Sequence, residues 1–246
     1  MANKKNGFSD YVRSFYNSLD KKSYKTYSDW KWFRSKSSKA QYIQTKNTII
    51  KVLNGKRFSS AFEIGPGDGI WTKLLLNYSK QIDALDLSEE MLDMATKRLN
   101  GAKVGLRHGD FLTTKIKKKY DLIYSIRCIE YLPDKDRAIN KISSIANKGA
   151  GVLLVTKNPH FMKLIKQDKK LHSNQIEVLA LKGLLEKYGL QVVFIHPAVF
   201  GKGFHIPMIR PFLSIMHDRI LRKTVFKNNF FIKHFSESFL IFAQKK

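Results

Sequence analysis

Apolar side chains near the start of the chain, at Phe8, Tyr11, Val12, Phe15, Tyr16 and Leu19, recur at the spacing of one helical face. Ser9, Asp10, Arg13, Ser14, Asn17 and Ser18 occupy the opposite face. A second aromatic cluster follows at Tyr24, Tyr27, Trp30, Trp32 and Phe33. From about Ser37 to Leu53 a lysine-studded pattern predicts another helix, stopped at Asn54-Gly55. The pattern then changes period. Short apolar runs at Ser60–Ile64, Gln81–Asp86, Ala102–His108, Tyr120–Ile126, Gly151–Thr156, Leu190–His196 and Ser238–Ala243 read as strands. Helical patterns such as Ser88–Leu99, Asp134–Ala146 and Asn174–Tyr188 lie between most of them. Such alternation predicts a parallel sheet covered by helices on both faces. The rhythm breaks only near the end, where about 40 residues, 200–237, separate the last two strands.

Composition narrows the class. With 246 residues, 43% hydrophobic and 26% charged, the chain is expected to form one globular domain with appendages. The single cysteine, Cys128, excludes an intramolecular disulfide and a cysteine-rich metal site; it fits a reducing compartment. The opening MANKKNGFSD lacks the apolar run of a signal peptide, and no stretch approaches the roughly 18 apolar residues of a membrane span. A cytoplasmic location is expected. The formal charge of +25 is uneven: residues 1–60 carry 14 basic and 3 acidic side chains, and residues 201–246 carry 9 and 2. That excess suits phosphate-bearing partners, either an anionic membrane surface or RNA, unless it only reflects a lysine-rich proteome.

The segment FEIGPGDGIWT, Phe62 to Thr72, brings a strand into Gly65, Gly67 and Gly69 and then into a helix. Glycines there let backbone turn tightly and approach a ligand. The dinucleotide fingerprint wants glycine at its sixth position, where Ile70 stands, and no GK[ST] follows for a P-loop. Asp86, 21 residues after Gly65, ends the second strand where a carboxylate can accept both ribose hydroxyls. RHGDF closes the third strand with Asp110 and Phe111.

ExGxGxG, DxSxxML, GDF and YDLIYSIRCIEYLPD, in that order, resemble the core of class I S-adenosylmethionine-dependent methyltransferases, strongly over about residues 58–157. The resemblance implies a Rossmann-like α/β fold of seven strands, the last antiparallel. Residues 58–246 would form the core, with residues 1–57 and the insertion 200–237 as a helical cap. Its roles carry over residue by residue. Glu63 would orient the glycine loop and the cofactor's amino end, above a floor of Gly65, Gly67 and Gly69. Asp86 would take the ribose hydroxyls and Leu87 and Met91 would pack beside the adenine. Asp110 and Phe111 would hold the adenine edge and face. Ser125, Ile126 and Arg127 would line the pocket near the sulfonium.

The acceptor is less constrained. SIRCIEYL stands where exocyclic-amine base methyltransferases carry [ND]PP[YFW], and Cys128 lacks the Pro-Cys context of carbon methylation on cytosine. IEYLPD resembles the LEHVPD of ubiquinone- and menaquinone-type enzymes. Only Glu130 of the metal set found in ubiquinone O-methyltransferases survives, with Arg127 and Tyr131 in the other places, so no metal is expected. Of 30 aromatic residues, nine lie in 1–33 and nine in 200–246, the two regions that form the acceptor cap in this family. Tyr11, Phe15, Tyr16 and His205 are therefore acceptor-site candidates. Ile209, Phe212, Leu213, Met216 and Ile220, rimmed by Arg210, Arg219, Arg222 and Lys223, fit a helix lying on a membrane. His160, just after the fifth strand, is the first choice as general base. The leading reading is methylation of an apolar or lipid-like small molecule (a quinone, polyketide or isoprenoid). An RNA methyltransferase comes second and a non-catalytic cofactor-binding module third.

Overall fold

The computed structural model describes residues 2–18, 24–162, 171, 173–200 and 236–246. Seven strands form one sheet in the order β3-β2-β1-β4-β5-β7-β6. They are β1 Ala61–Ile64, β2 Ile82–Asp86, β3 Val104–His108, β4 Tyr120–Ile126, β5 Ala146–Lys157, β6 Leu190–Phe200 and β7 Ser236–Lys245. β1 to β5 pair in parallel, while β7 runs antiparallel between β5 and β6, pairing Leu154 with Ile241 and His196 with Leu240. The order reverses at β1, between β2 and β4, and such reversals open a crevice at the strands' carboxyl ends.

Seven helices surround the sheet among the described residues: α1 Ala2–Asn17, α2 Lys36–Leu53, α3 Ile70–Leu75, α4 Glu89–Arg98, α5 Lys135–Ser144, α6 Pro159–Met162 and α7 Val178–Lys187. Side-chain caps place three starts. Ser35, Ser88 and Asp134 each accept from the backbone N–H three residues on, satisfying donors that the first turn leaves open. One sheet face packs Phe62, Ile123 and Leu154 against Ile139 and Ile142 of α5 and Leu181 and Leu185 of α7. The other packs Leu122, Tyr124 and Leu153 against Trp32, Ile49, Leu53 and Trp71. Each such side chain, fully buried, contributes about 1.5–3 kcal/mol.

Three expectations shift. The helix expected to run to Ala146 stops at Ser144, and Ala146 already belongs to β5, which pairs Ala146 with Tyr120 across an irregularity. The helix expected from Asn174 begins at Val178, because Glu177 is extended (φ −68°, ψ 150°) and offers no side-chain cap. The aromatic cluster holds an unforeseen π-helical turn, Asp29–Phe33, whose Trp32 is buried. The amphipathic pattern at 209–220 and His205 lie outside the described residues, as does Leu19.

Candidate functional site

β1 delivers the chain into the glycine loop, where Gly65, Gly67 and Gly69 all take positive φ (70°, 56° and 79°). Only glycine adopts these angles without strain. At Gly65 space forbids anything else as well, since a Cβ there would lie 2.2 Å from Cys128 Sγ. Gly69 then caps α3 rather than facing the crevice.

The loop is held from two sides. Asp86, at the end of β2, accepts from the Gly67 N–H (3.0 Å) and, through its other oxygen, from the Ser88 N–H (2.9 Å). Burial raises its pKa, and those backbone N–H groups oppose the rise. Glu63 lies underneath, 1% exposed, and accepts from Thr72 Oγ1 (2.5 Å) and the Tyr124 hydroxyl (2.8 Å) on one oxygen. Its other oxygen is buried without a hydrogen bond. Burial pushes this carboxyl up to about 7.

Asp68 was not singled out in the sequence, yet it clasps three parts of the site. Its carboxylate accepts from the Ser28 N–H (2.8 Å) and hydroxyl (2.7 Å) and pairs with Arg98 of α4 (2.7 Å). The segment before the π-turn is thereby tied to the glycine loop from 40 residues away. An acid inside a glycine-rich turn reads as turn chemistry, and nothing local announces so distant a partner.

A cleft open at its mouth lies over the loop, the kind of concave site in which small ligands bind. Gly65, Gly67, Asp86, Leu87, Met91, Asp110, Phe111, Ile126 and Arg127 line it. So does Tyr16 of α1, while Tyr11 and Phe15 pack beside it with Val12 and Tyr131. Ser125 is buried inside β4, and neither it nor Glu63 nor Gly69 is in the lining. His160 is absent from the lining too. Its Nε2 lies 2.9 Å from Glu177, and its backbone N–H donates to Asn158.

The cavity's roof is aromatic. The Tyr16 ring meets those of Tyr27 and Tyr131 edge-on at 5.7 Å, and its hydroxyl lies within hydrogen-bonding reach of both. Burial raises all three pKa values far above the usual phenol, so the hydroxyls stay protonated. Trp32 meets Trp71 edge-on at 5.4 Å, and both line the cavity. Tyr27, Trp32 and Tyr131 received no site role from the sequence, because their convergence depends on how the π-turn lands on the loop.

Arg127, just past β4, is the one described non-glycine residue with positive φ (63°), a conformation costing on the order of 1–2 kcal/mol. That turn directs its Nε to Glu130 at 3.0 Å, while its Nη2 is buried with no hydrogen bond. Cys128 packs against Gly65, and burial raises its thiol well above the ordinary value, which makes it a poor nucleophile.

The donor set suits S-adenosylmethionine: a carboxylate at the end of β2 for the ribose, Asp110 beside Phe111 for the base, and an unpartnered Glu63 oxygen behind the loop. Residues 61–149 match the model of a methyltransferase domain. An uncharacterized methyltransferase of Bacillus mycoides is 26% identical over 171 residues, 66% of this chain and 77% of that one. Among solved structures, an S-adenosylmethionine-dependent methyltransferase from Clostridium acetobutylicum superposes with a TM-score of 0.62 at 15% identity, over 89% of this chain and 96% of its own. N-methyltransferase NodS from Bradyrhizobium japonicum, solved with S-adenosylhomocysteine, gives 0.57 at 14%, over 83% and 86%. These two likenesses concern the fold, which is the Rossmann-like one of methyltransferases.

Proposed function

We propose that this S-adenosylmethionine-dependent methyltransferase is of class I and that its acceptor is a small molecule with an apolar body. The observation that carries this reading is the roof of Tyr16, Tyr27, Trp32 and Tyr131 over the cofactor crevice. α1 and the π-turn leave a cleft, not a flat face, and aromatic walls desolvate a flat or lipid-like guest favourably. The binding-module alternative falls with the enzymatic assignment. The quinone branch is one class such a cavity would admit.

When bound, the cofactor supplies a methyl group on a positively charged sulfur, already a good leaving group. The chain's own contribution is placement, which is where most of such a displacement's acceleration arises. Asp86 and the loop N–H groups set the cofactor's depth, and the aromatic roof fixes the acceptor and excludes water. The three protonated phenols offer donors to a polar atom on an otherwise apolar guest.

The net charge of +25 supports delivery of lipid-like acceptors from an anionic membrane surface. No described helix is long and apolar enough to cross a membrane. The test is incubation with methyl-labelled S-adenosylmethionine and whole-cell extract, followed by separation of macromolecules from small molecules. Label in the small-molecule fraction is expected. Label in RNA would sink this reading and make the positive charge the better guide.

A further inference from the structure

We propose that Ser28 and Asp68 are positioning residues for methyl transfer. Their paired hydrogen bonds register the aromatic roof to the glycine loop, so that the loop facing the cofactor also places the acceptor. The proposal rests on the small-molecule reading, which makes that roof the acceptor's wall.

Ser28 is fully buried and Asp68 is 1% exposed. Buried polar groups are costly unless hydrogen-bonded, and here each satisfies the other. Asp68 takes the Ser28 N–H on one carboxylate oxygen and the Ser28 hydroxyl on the other. Arg98 grips the same residue, donating through Nη2 to the carboxylate and through Nε to the Asp68 carbonyl, both at 2.7 Å. An acid held at both ends fixes Ser28 relative to the loop. Neither Ser28 nor Asp68 lines the cleft, so each acts through its neighbours.

Those neighbours are the roof. Tyr27 precedes Ser28, and two carbons of its ring lie 3.8 and 3.9 Å from where a Cβ on Gly67 would stand. The π-turn follows Ser28 and carries Trp32 into the cleft. From Tyr27 the registration passes on, because the Tyr16 hydroxyl reaches both Tyr27 and Tyr131. Gly67, under the Tyr27 ring, gives its N–H to Asp86, the carboxylate expected to take the ribose. A second tie ends nearby. The Ser88 hydroxyl donates to Asn17 of α1 at 2.6 Å, while the Ser88 N–H donates to Asp86. Both segments of the roof are thus anchored on residues adjacent to Gly67 and Asp86. In-line displacement is sensitive to such placement, and an error of about 1 Å can cost about a hundredfold.

The test assays the full-length enzyme with methyl-labelled S-adenosylmethionine and the small-molecule fraction of cell extract, alongside calorimetry with S-adenosylhomocysteine. Ser28→Ala keeps the N–H bond to Asp68 and loses the hydroxyl's. Its maximal rate is expected to fall about tenfold to a hundredfold, with S-adenosylhomocysteine affinity within about threefold of wild type. Tyr27→Leu is expected to bring a similar fall. The double variant should fall no further, since residues that act through one another are not additive. Label in small molecules with an unchanged rate in Ser28→Ala overturns the positioning role alone. Additive falls in the double variant overturn it too, as does a rate that falls in step with cofactor affinity. Wild-type label confined to RNA overturns the small-molecule reading and the acceptor wall with it.

Discussion

The two halves of the cavity are built differently. The cofactor half comes from consecutive pieces of chain: the loop after β1, the end of β2 and the end of β3. Its residues already sit at fixed distances along the sequence, and backbone N–H groups do much of the holding. The half proposed for the acceptor is assembled from α1, the π-turn and the segment after β4. Its rings meet from far apart in the chain, Tyr16 with Tyr27 and Tyr131. The first half is a motif. The second exists only once the sheet has formed.

Asp68 joins the halves, so removing it should have the largest effect. Asp68→Ala leaves Arg98 without its buried partner and frees Ser28 from the loop. A loss of about 3–5 kcal/mol is expected, measured by denaturant unfolding. A loss below about 1 kcal/mol would mean that the halves hold together without this clasp.

A smaller effect is expected within the cofactor half. The buried Glu63 binds a proton in the folded state up to about 7, against 4.5 ordinarily. Between those values the folded state holds this proton more tightly than the unfolded chain, so Glu63's contribution to stability is fully present below 4.5 and is lost as pH rises through 7. The loss should be on the order of 3 kcal/mol. Melting temperature followed across this window in wild type and Glu63→Gln should show the fall only in wild type.

Asp86→Asn should weaken S-adenosylhomocysteine binding by about 1.5–3 kcal/mol, the range for hydrogen bonds to a charged group, as read by calorimetry. Ser28→Ala in the acceptor half should leave that affinity nearly unchanged, so the pair tests whether the halves are separable. The smallest effect is expected at His160. Its ring faces Glu177 outside the cavity, so His160→Ala should leave kcat nearly unchanged. A fall of about a hundredfold or more, the usual worth of a general base, would return it to the acceptor site.

How much could be read in advance follows the same division. The seven strands were each legible from apolar runs, and so was the antiparallel last strand once the resemblance was recognised. That Asp86, Leu87, Met91, Asp110 and Phe111 gather at one cleft was legible through the resemblance, whose motifs sit at strand ends and turns. Tyr16 was reached through its helical face. Tyr27 and Trp32 were not: an aromatic looks like core until a cavity opens beside it. Asp68 read as a turn residue because its partners lie 30 and 40 positions away.

By itself, then, the sequence determined the alternating architecture, the glycine loop and the carboxylates that face it. Each follows from period, backbone freedom and short-range spacing. Only the tertiary structure decided the aromatic half of the cleft, since its rings converge from α1, the π-turn and the segment after β4. The left-handed turn at Arg127 and the landing of Trp32 beside it exist only where the sheet, the loop and the N-terminal segment meet.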